Sequence, residues 1–157
     1  MPIAAVLGWI QTTRIATTIG GSTLLTGFIS GIHLLGLTLL VGAALVSSLR
    51  MVGIILTDRP LSEVTPGPRR GMVIGLAISV VSGLLLFTPR AAAAADNSFF
   101  QIKMTLLGAA ALFYFAVYRG VSRRTDADSP VVKLTGGIGL TLWLGVAFAG
   151  CAFILFE

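Results

Sequence analysis

Charge is what this sequence has least of: Asp, Glu, Lys and Arg make up only 11% of its 157 residues. An average soluble globular chain carries roughly 25%. So few charges cannot cover a water-facing surface, so most of the chain is expected to face lipid. Cysteine and histidine occur once each, as Cys151 and His33. A lone cysteine excludes an intramolecular disulfide and any paired-thiolate metal site. Inside an apolar run, Cys151 reads as a small buried hydrophobe. No carboxylate lies deep in an apolar stretch, and no G-x-S-x-G, H-E-x-x-H or Walker loop occurs. Acid–base catalysis has almost nothing to work with, and the chain is read as a non-enzyme without a metal site.

What is abundant is apolar: 55% of the residues are hydrophobic, in runs separated by short charged gaps. About 20 apolar residues cross a bilayer core, with about 17 the short end of the range, and four runs fall within or above it at approximately 20–49, 71–88, 99–118 and 131–156, the second near the short end. The segment 57–70 holds three prolines and both signs of charge, and is expected to be a loop. A second charged loop runs from Arg119 to Ser129, with Pro130 placed to open the last helix. Ile3 to Ile15 is too short and interrupted to span, and reads as a helix lying on the membrane. No cleaved leader is expected, because Met1 to Ile10 has no basic start and breaks at Gln11–Arg14. The expected fold is all-α: one transmembrane domain over 1–157, an integral membrane four-helix bundle with a short N-terminal interfacial helix.

The net charge of +5 comes from 11 basic and 6 acidic residues. Arg50, Arg59, Arg69, Arg70, Arg119, Arg123, Arg124 and Lys133 fall in or beside the two charged loops. Arg14, Arg90 and Lys103 fall toward the other ends of the spans. The positive-inside rule puts the first group in the cytoplasm. The expected location is a bacterial inner membrane, multi-pass, with both termini periplasmic. No basic helix face with interleaved aromatics tracks a phosphate backbone, so no nucleic-acid partner is expected. Arg50 is expected to snorkel to the headgroups, and Lys103 to do so beside Arg90 and Asp96.

Glycine numbers 19, and its spacing carries information. Gly71, Gly75, Ser79 and Gly83 recur every four residues in the second span. Gly137, Thr141, Gly145 and Ala149 do so in the fourth, and Thr23, Gly27 and Gly31 in the first. Small residues let helix backbones approach where lipid offers little hydrophobic reason to associate. Bulky Phe113, Phe115, Trp143, Phe148 and Phe153 are then expected to face lipid or a neighbouring protein.

His33 is the one ionisable group expected deep in a span. Ser30, Thr26 and Thr23 precede it at helical spacing, which puts the four on one stripe. His33, Ser30 and Thr26 are the candidate ligand-binding residues. Three roles are open: a hydrogen bond inside the bundle, contact with a quinone, lipid or pigment, or axial ligation of b-type haem. No second histidine exists to complete a haem pair, and Met51, Met72 and Met104 fall near helix ends.

The runs His33-Leu34-Leu35-Gly36, Leu39-Leu40-Val41-Gly42, Leu49-Arg50-Met51-Val52-Gly53, Gly75-Leu76-Ala77, Ser82-Gly83-Leu84-Leu85-Leu86-Phe87 and Asn97-Ser98-Phe99-Phe100-Gln101-Ile102-Lys103 carry a resemblance. They are similar, from about Thr18 to Arg119, to an uncharacterised bacterial inner-membrane family, a domain of unknown function. The resemblance implies four spans and a histidine in the first, at His33. It also implies an acidic residue before the Leu-Arg pair, where this chain has Ser48. A second histidine is common near the end of the third span, where Tyr118 stands.

Three functions follow as expectations. The first is an accessory, non-catalytic transmembrane subunit of a larger respiratory or photosynthetic electron-transfer complex, with lipids and other membrane subunits as partners. The second is a small b-type haem- or quinone-binding redox protein using His33. The third, a small transporter or metal-handling protein, lacks the intramembrane carboxylates or Met and Cys clusters such passage needs.

Overall fold

A computed structural model describes residues 3–122 and 128–155, the last three as backbone alone. Arg123, Arg124, the side chain of Phe153 and the end of the fourth span at Phe156 therefore lie outside the described residues. The described chain is all helix: α1 (Ile3–Gln11), α2 (Arg14–Gly20), α3 (Thr23–Val52), α4 (Leu61–Val64), α5 (Pro66–Phe87), α6 (Ala91–Asp96), α7 (Ser98–Phe113), α8 (Arg119–Val121) and α9 (Pro130–Leu155). Four stretches are long and apolar enough to cross a membrane: Thr23–Val52, Leu61–Asp96, Ser98–Val121 and Pro130–Ala152. That is the pattern of a multi-pass membrane protein in contact with lipid.

Local chemistry sets where the helices begin and end. The Ser22 hydroxyl accepts from the Leu25 amide at the start of α3, and the Asn97 side chain accepts from the Phe99 and Phe100 amides at the start of α7. Each satisfies amide donors that a first helical turn leaves without partners. The α3 helix stops at Gly53, whose φ of 88° suits a residue with no Cβ. There the Ile54 amide reaches Leu49 and the Gly53 amide reaches Arg50, the paired bonds of a Schellman cap.

Two boundaries differ from the sequence reading. The expected loop over 57–70 contains α4 and the first turn of α5, because Pro66 and Pro68 sit where a helix has no use for their missing amide hydrogens. The N-terminal segment is two helices rather than one, since the Thr13 side chain caps a second start by accepting from the Ala16 amide. Both short helices pack on the turn Thr88–Arg90, and α1 also packs on α6. Gln11 donates to the Pro89 carbonyl at 3.0 Å. Together these segments form a cap over one end of the bundle, here called the terminal end. The opposite, loop end carries the two charged connections.

The spans are arranged in the order second, first, fourth, third: α5 packs on α3, α3 on α9, and α9 on α7. The first pairing is closest. A Cβ added at Gly75 would lie 2.6 Å from the Leu40 amide nitrogen and 2.8 Å from the Gly36 carbonyl oxygen, and one at Gly36 would lie 2.8 Å from Ser79 Oγ. At Gly71 it would meet Ala43 Cβ at 3.1 Å. So Gly71, Gly75, Ser79 and Gly83 all line one helix contact, as van der Waals association in lipid favours.

The other two ridges need correction. Among the described residues, Gly27, Gly31 and Gly137 have nothing within 4 Å of an added Cβ, so they mediate no close approach there. Gly145 makes ordinary contact with Leu106 at 3.6 Å. On α9 the tight positions are Gly136 and Gly139, where a Cβ would fall 2.7 Å from Met51 Cβ and 2.8 Å from the Tyr118 ring. A helix turns 100° per residue, so a stripe read one residue out of phase faces elsewhere. Trp143 is also corrected: at 3% exposure it belongs to the core, whereas Phe115 and Phe148 are exposed and Phe113 packs partly buried against that core.

Candidate functional site

Polar side chains meet inside the bundle at two levels. Toward the terminal end, His33 on α3 faces Ser82 on α5, with Nδ1 and Oγ 3.0 Å apart. The Ser82 hydroxyl lies 2.6 Å from the Ile78 carbonyl of its own helix and gives its proton there. Its lone pair then accepts from His33 Nδ1–H, which assigns the tautomer and leaves Nε2 as an acceptor. Gly83 makes the space: an added Cβ would stand 3.1 Å from the imidazole Cε1.

Lys103 joins this level from α7. It is half-buried, lies within electrostatic reach of His33, and its ammonium would sit 3.8 Å from a Cβ at Gly150 on α9. It therefore turns into the bundle instead of out to the headgroups. Three spans thus supply the polar groups of this level, and Gly150 of the fourth lies against the Lys103 side chain.

The other proposed ligand residues are placed differently. Thr26 donates to the Ile19 carbonyl, tying α2 to α3. Thr23 is exposed and Ser30 half-buried. The buried stripe runs from Ile29 past His33 through Gly36, Leu40, Ala44, Ser47 and Met51, with no threonine among its buried residues.

At the loop end, Ser48 Oγ and Tyr118 Oη are 3.1 Å apart and buried. Tyr118 closes a π-helical turn over Tyr114–Tyr118, and its ring stacks on Tyr114 with centroids 5.8 Å apart. Ser48 and Tyr118 are the two positions where the chain departs from the pattern of the resembled family. They touch, so a hydroxyl pair occupies the place where an acid and a histidine would meet. Arg50 is a correction: it is 4% exposed, and its guanidinium donates to the Arg59 carbonyl. The Thr65 hydroxyl donates into the carbonyls of Leu61 and Ser122, both 2.9 Å away, and joins the two charged connections.

Depth decides what these levels can do together. Ser48 is fifteen residues beyond His33 on one continuous helix, or about 22 Å along its axis. Tyr118 stands with Ser48, so position 118 cannot share one haem iron with His33. Met51, three residues further on, is more distant still. Among the described residues no three His, Cys, Asp or Glu side chains gather as a metal site.

A family model matches residues 5–156, almost the whole chain. The chain belongs to the family of unknown function DUF6644. No curated protein and no solved structure matches it. For this DUF6644 member, the polar pairs themselves are the testable objects. Ser82→Ala should lower stability by about 0.5–2 kcal/mol, the range for hydrogen bonds between membrane helices. A His33→Ala variant should lose a comparable amount, and the double variant should lose less than the sum. Strict additivity in detergent unfolding would mean that the two side chains do not interact.

Signals for the missed residues existed. Ser82 lies three residues after Ser79 and opens the Ser-Gly pair at Gly83. Gly36 and Ser47 fall on the forward continuation of the His33 stripe. Nothing local marks Lys103, because its surroundings come from α3 and α9.

Proposed function

We propose that this protein is an accessory, non-catalytic transmembrane subunit that packs against a larger complex in a bacterial inner membrane. Respiratory or photosynthetic electron transfer is the setting it fits, with both termini on the periplasmic side. The observation that carries the reading is the pair Gly27 and Gly31. Small-residue faces associate helices in lipid, and this one has no counterpart among the described residues. Exposed Leu24, Phe28 and Leu35 flank it along one side, giving a flat strip beside a ridge of large side chains. His33, already bonded to Ser82, then acts as an internal tie between helices. The topology rests on the sequence count of eight basic residues in or beside the two charged loops against three elsewhere. Gentle purification from native membranes, with mass spectrometry of whatever travels with the protein, tests the reading. Stoichiometric membrane companions are expected; a partner-free, monodisperse protein would sink it.

A second reading is favoured by Lys103. An ammonium beside His33, with no carboxylate paired to it among the described residues, is a costly arrangement in a membrane unless something polar meets it. The Lys103 ammonium suits a carbonyl-bearing headgroup such as a quinone, and the free Nε2 of His33 suits the hydroxyl of its reduced form. This reading makes the protein a small cofactor-binding redox protein. Organic extraction of the purified protein should then yield a quinone, and His33→Ala should abolish its retention. A quinone-free preparation would eliminate it.

A further inference from the structure

A gap remains at the loop end between α5 and the third span, which do not pack face to face. It forms a groove of about 390 Å³. Arg69, Arg70 and Arg119 stand around it, and Val73, Ile74 and Phe115 line it. The three apolar side chains are exposed. Among the described residues, none of the three guanidinium groups has a carboxylate at salt-bridge distance. Tyr118 turns inward from the same helical segment, the buried Tyr114 closes the inner wall of the groove, and Phe115 and Arg119 stand at its surface.

Charge and hydropathy therefore change along one short surface. Arg69 and Arg70 belong to the first turns of α5, and Arg119 follows directly on Tyr118, so all three lie where the spans leave the hydrocarbon. The apolar walls begin one turn deeper, at Val73 and Ile74. Three cations this close repel one another unless an anion sits among them. Basic pockets between membrane helices bind anionic lipid headgroups, and arginine holds phosphate oxygens in paired hydrogen bonds. A free phosphate would satisfy the arginines and leave the apolar walls unused. A neutral lipid would do the reverse.

We propose that this groove is a binding site for an anionic diacyl phospholipid, its phosphate held by Arg69, Arg70 and Arg119 and one acyl chain lying along Val73, Ile74 and Phe115. The site does not depend on His33, on a partner subunit or on the function proposed above.

The test uses the full-length protein in a mild, uncharged detergent, with native mass spectrometry counting retained lipid. The probes are phosphatidylglycerol, phosphatidylcholine and inorganic phosphate. Phosphatidylglycerol should be retained at least tenfold better than phosphatidylcholine, and inorganic phosphate alone should not bind measurably. The Arg69→Gln/Arg70→Gln/Arg119→Gln variant should lose that preference. An Arg59→Gln/Lys133→Gln variant, which removes the same sign of charge from the same end, should keep it. Equal retention of the two lipids by the native protein overturns the proposal, whether or not the triple variant folds. So does equal loss in both variants, which would reduce the effect to net charge. Binding of phosphate alone would assign the arginines to a soluble anion instead.

Discussion

Replacing Gly75 by alanine is expected to lower the unfolding free energy by about 1–3 kcal/mol, the usual cost of overpacking a tight contact. Replacing it by leucine should leave no folded protein. The new Cβ would fall 2.6 Å from the Leu40 amide nitrogen and 2.9 Å from its Cα. Those are backbone atoms in the middle of a 30-residue helix, so they cannot move aside alone. Either α3 and α5 separate along their length or one of them bends. Gly83 gives the comparison on the same helix face, because an added Cβ there meets only the imidazole of His33, at 3.1 Å. Gly83→Ala should therefore cost less than Gly75→Ala. Unfolding in mixed micelles, followed by the fluorescence of buried Trp143, measures both. Equal costs would mean that α3 and α5 do not meet at Gly75.

The second large effect concerns association. A Gly27→Leu/Gly31→Leu variant is expected to keep its fold and lose its companions. Among the described residues, neither glycine has an atom within 4 Å of an added Cβ, so the unfolding midpoint should stay at the native value. If a partner helix packs on this face, two leucines fill the space that its backbone needs. Recovery of companions after native-membrane purification should fall at least tenfold. Undiminished recovery by a normally folded variant would remove this face from the argument for an accessory subunit.

The two predictions use glycines that look alike in the sequence. Gly71, Gly75, Ser79 and Gly83 form a spacing of four, and the whole set lies against α3. Gly137 and Gly145 show the same spacing on the fourth span, yet Gly136 and Gly139 make the close contacts there. Spacing identifies a smooth face. Which neighbour it meets depends on the rotation of each helix, which a sequence of nearly uniform hydropathy does not encode. The apolar residues of a membrane helix surround it on all sides, so no amphipathic stripe marks the inward direction.

The same limit shaped the reading of the candidate site. His33 stands out as the only histidine, and the level of the bundle it occupies follows from counting along one helix. Its neighbours do not. Ser82 lies 49 residues away and Lys103 belongs to a different span. Arg50 carries the same lesson with the opposite outcome: the carbonyl of Arg59, nine residues on, takes its guanidinium and keeps it out of the headgroups.

By itself the sequence determined the all-helical class, the four spans and the excess of basic residues at one end. These follow from composition and from the length of apolar runs, and each can be read within one segment. It also determined that His33 and Ser48 occupy different depths, since helical rise converts residue number along one helix into distance. Only the tertiary structure decided the order of the spans, which small residues touch, the inward turn of Trp143, Lys103 and Arg50, and the pairing of Ser48 with Tyr118. In lipid every helix is already satisfied along its own backbone, so these choices rest on shape and on a few hydrogen bonds between residues far apart in the chain.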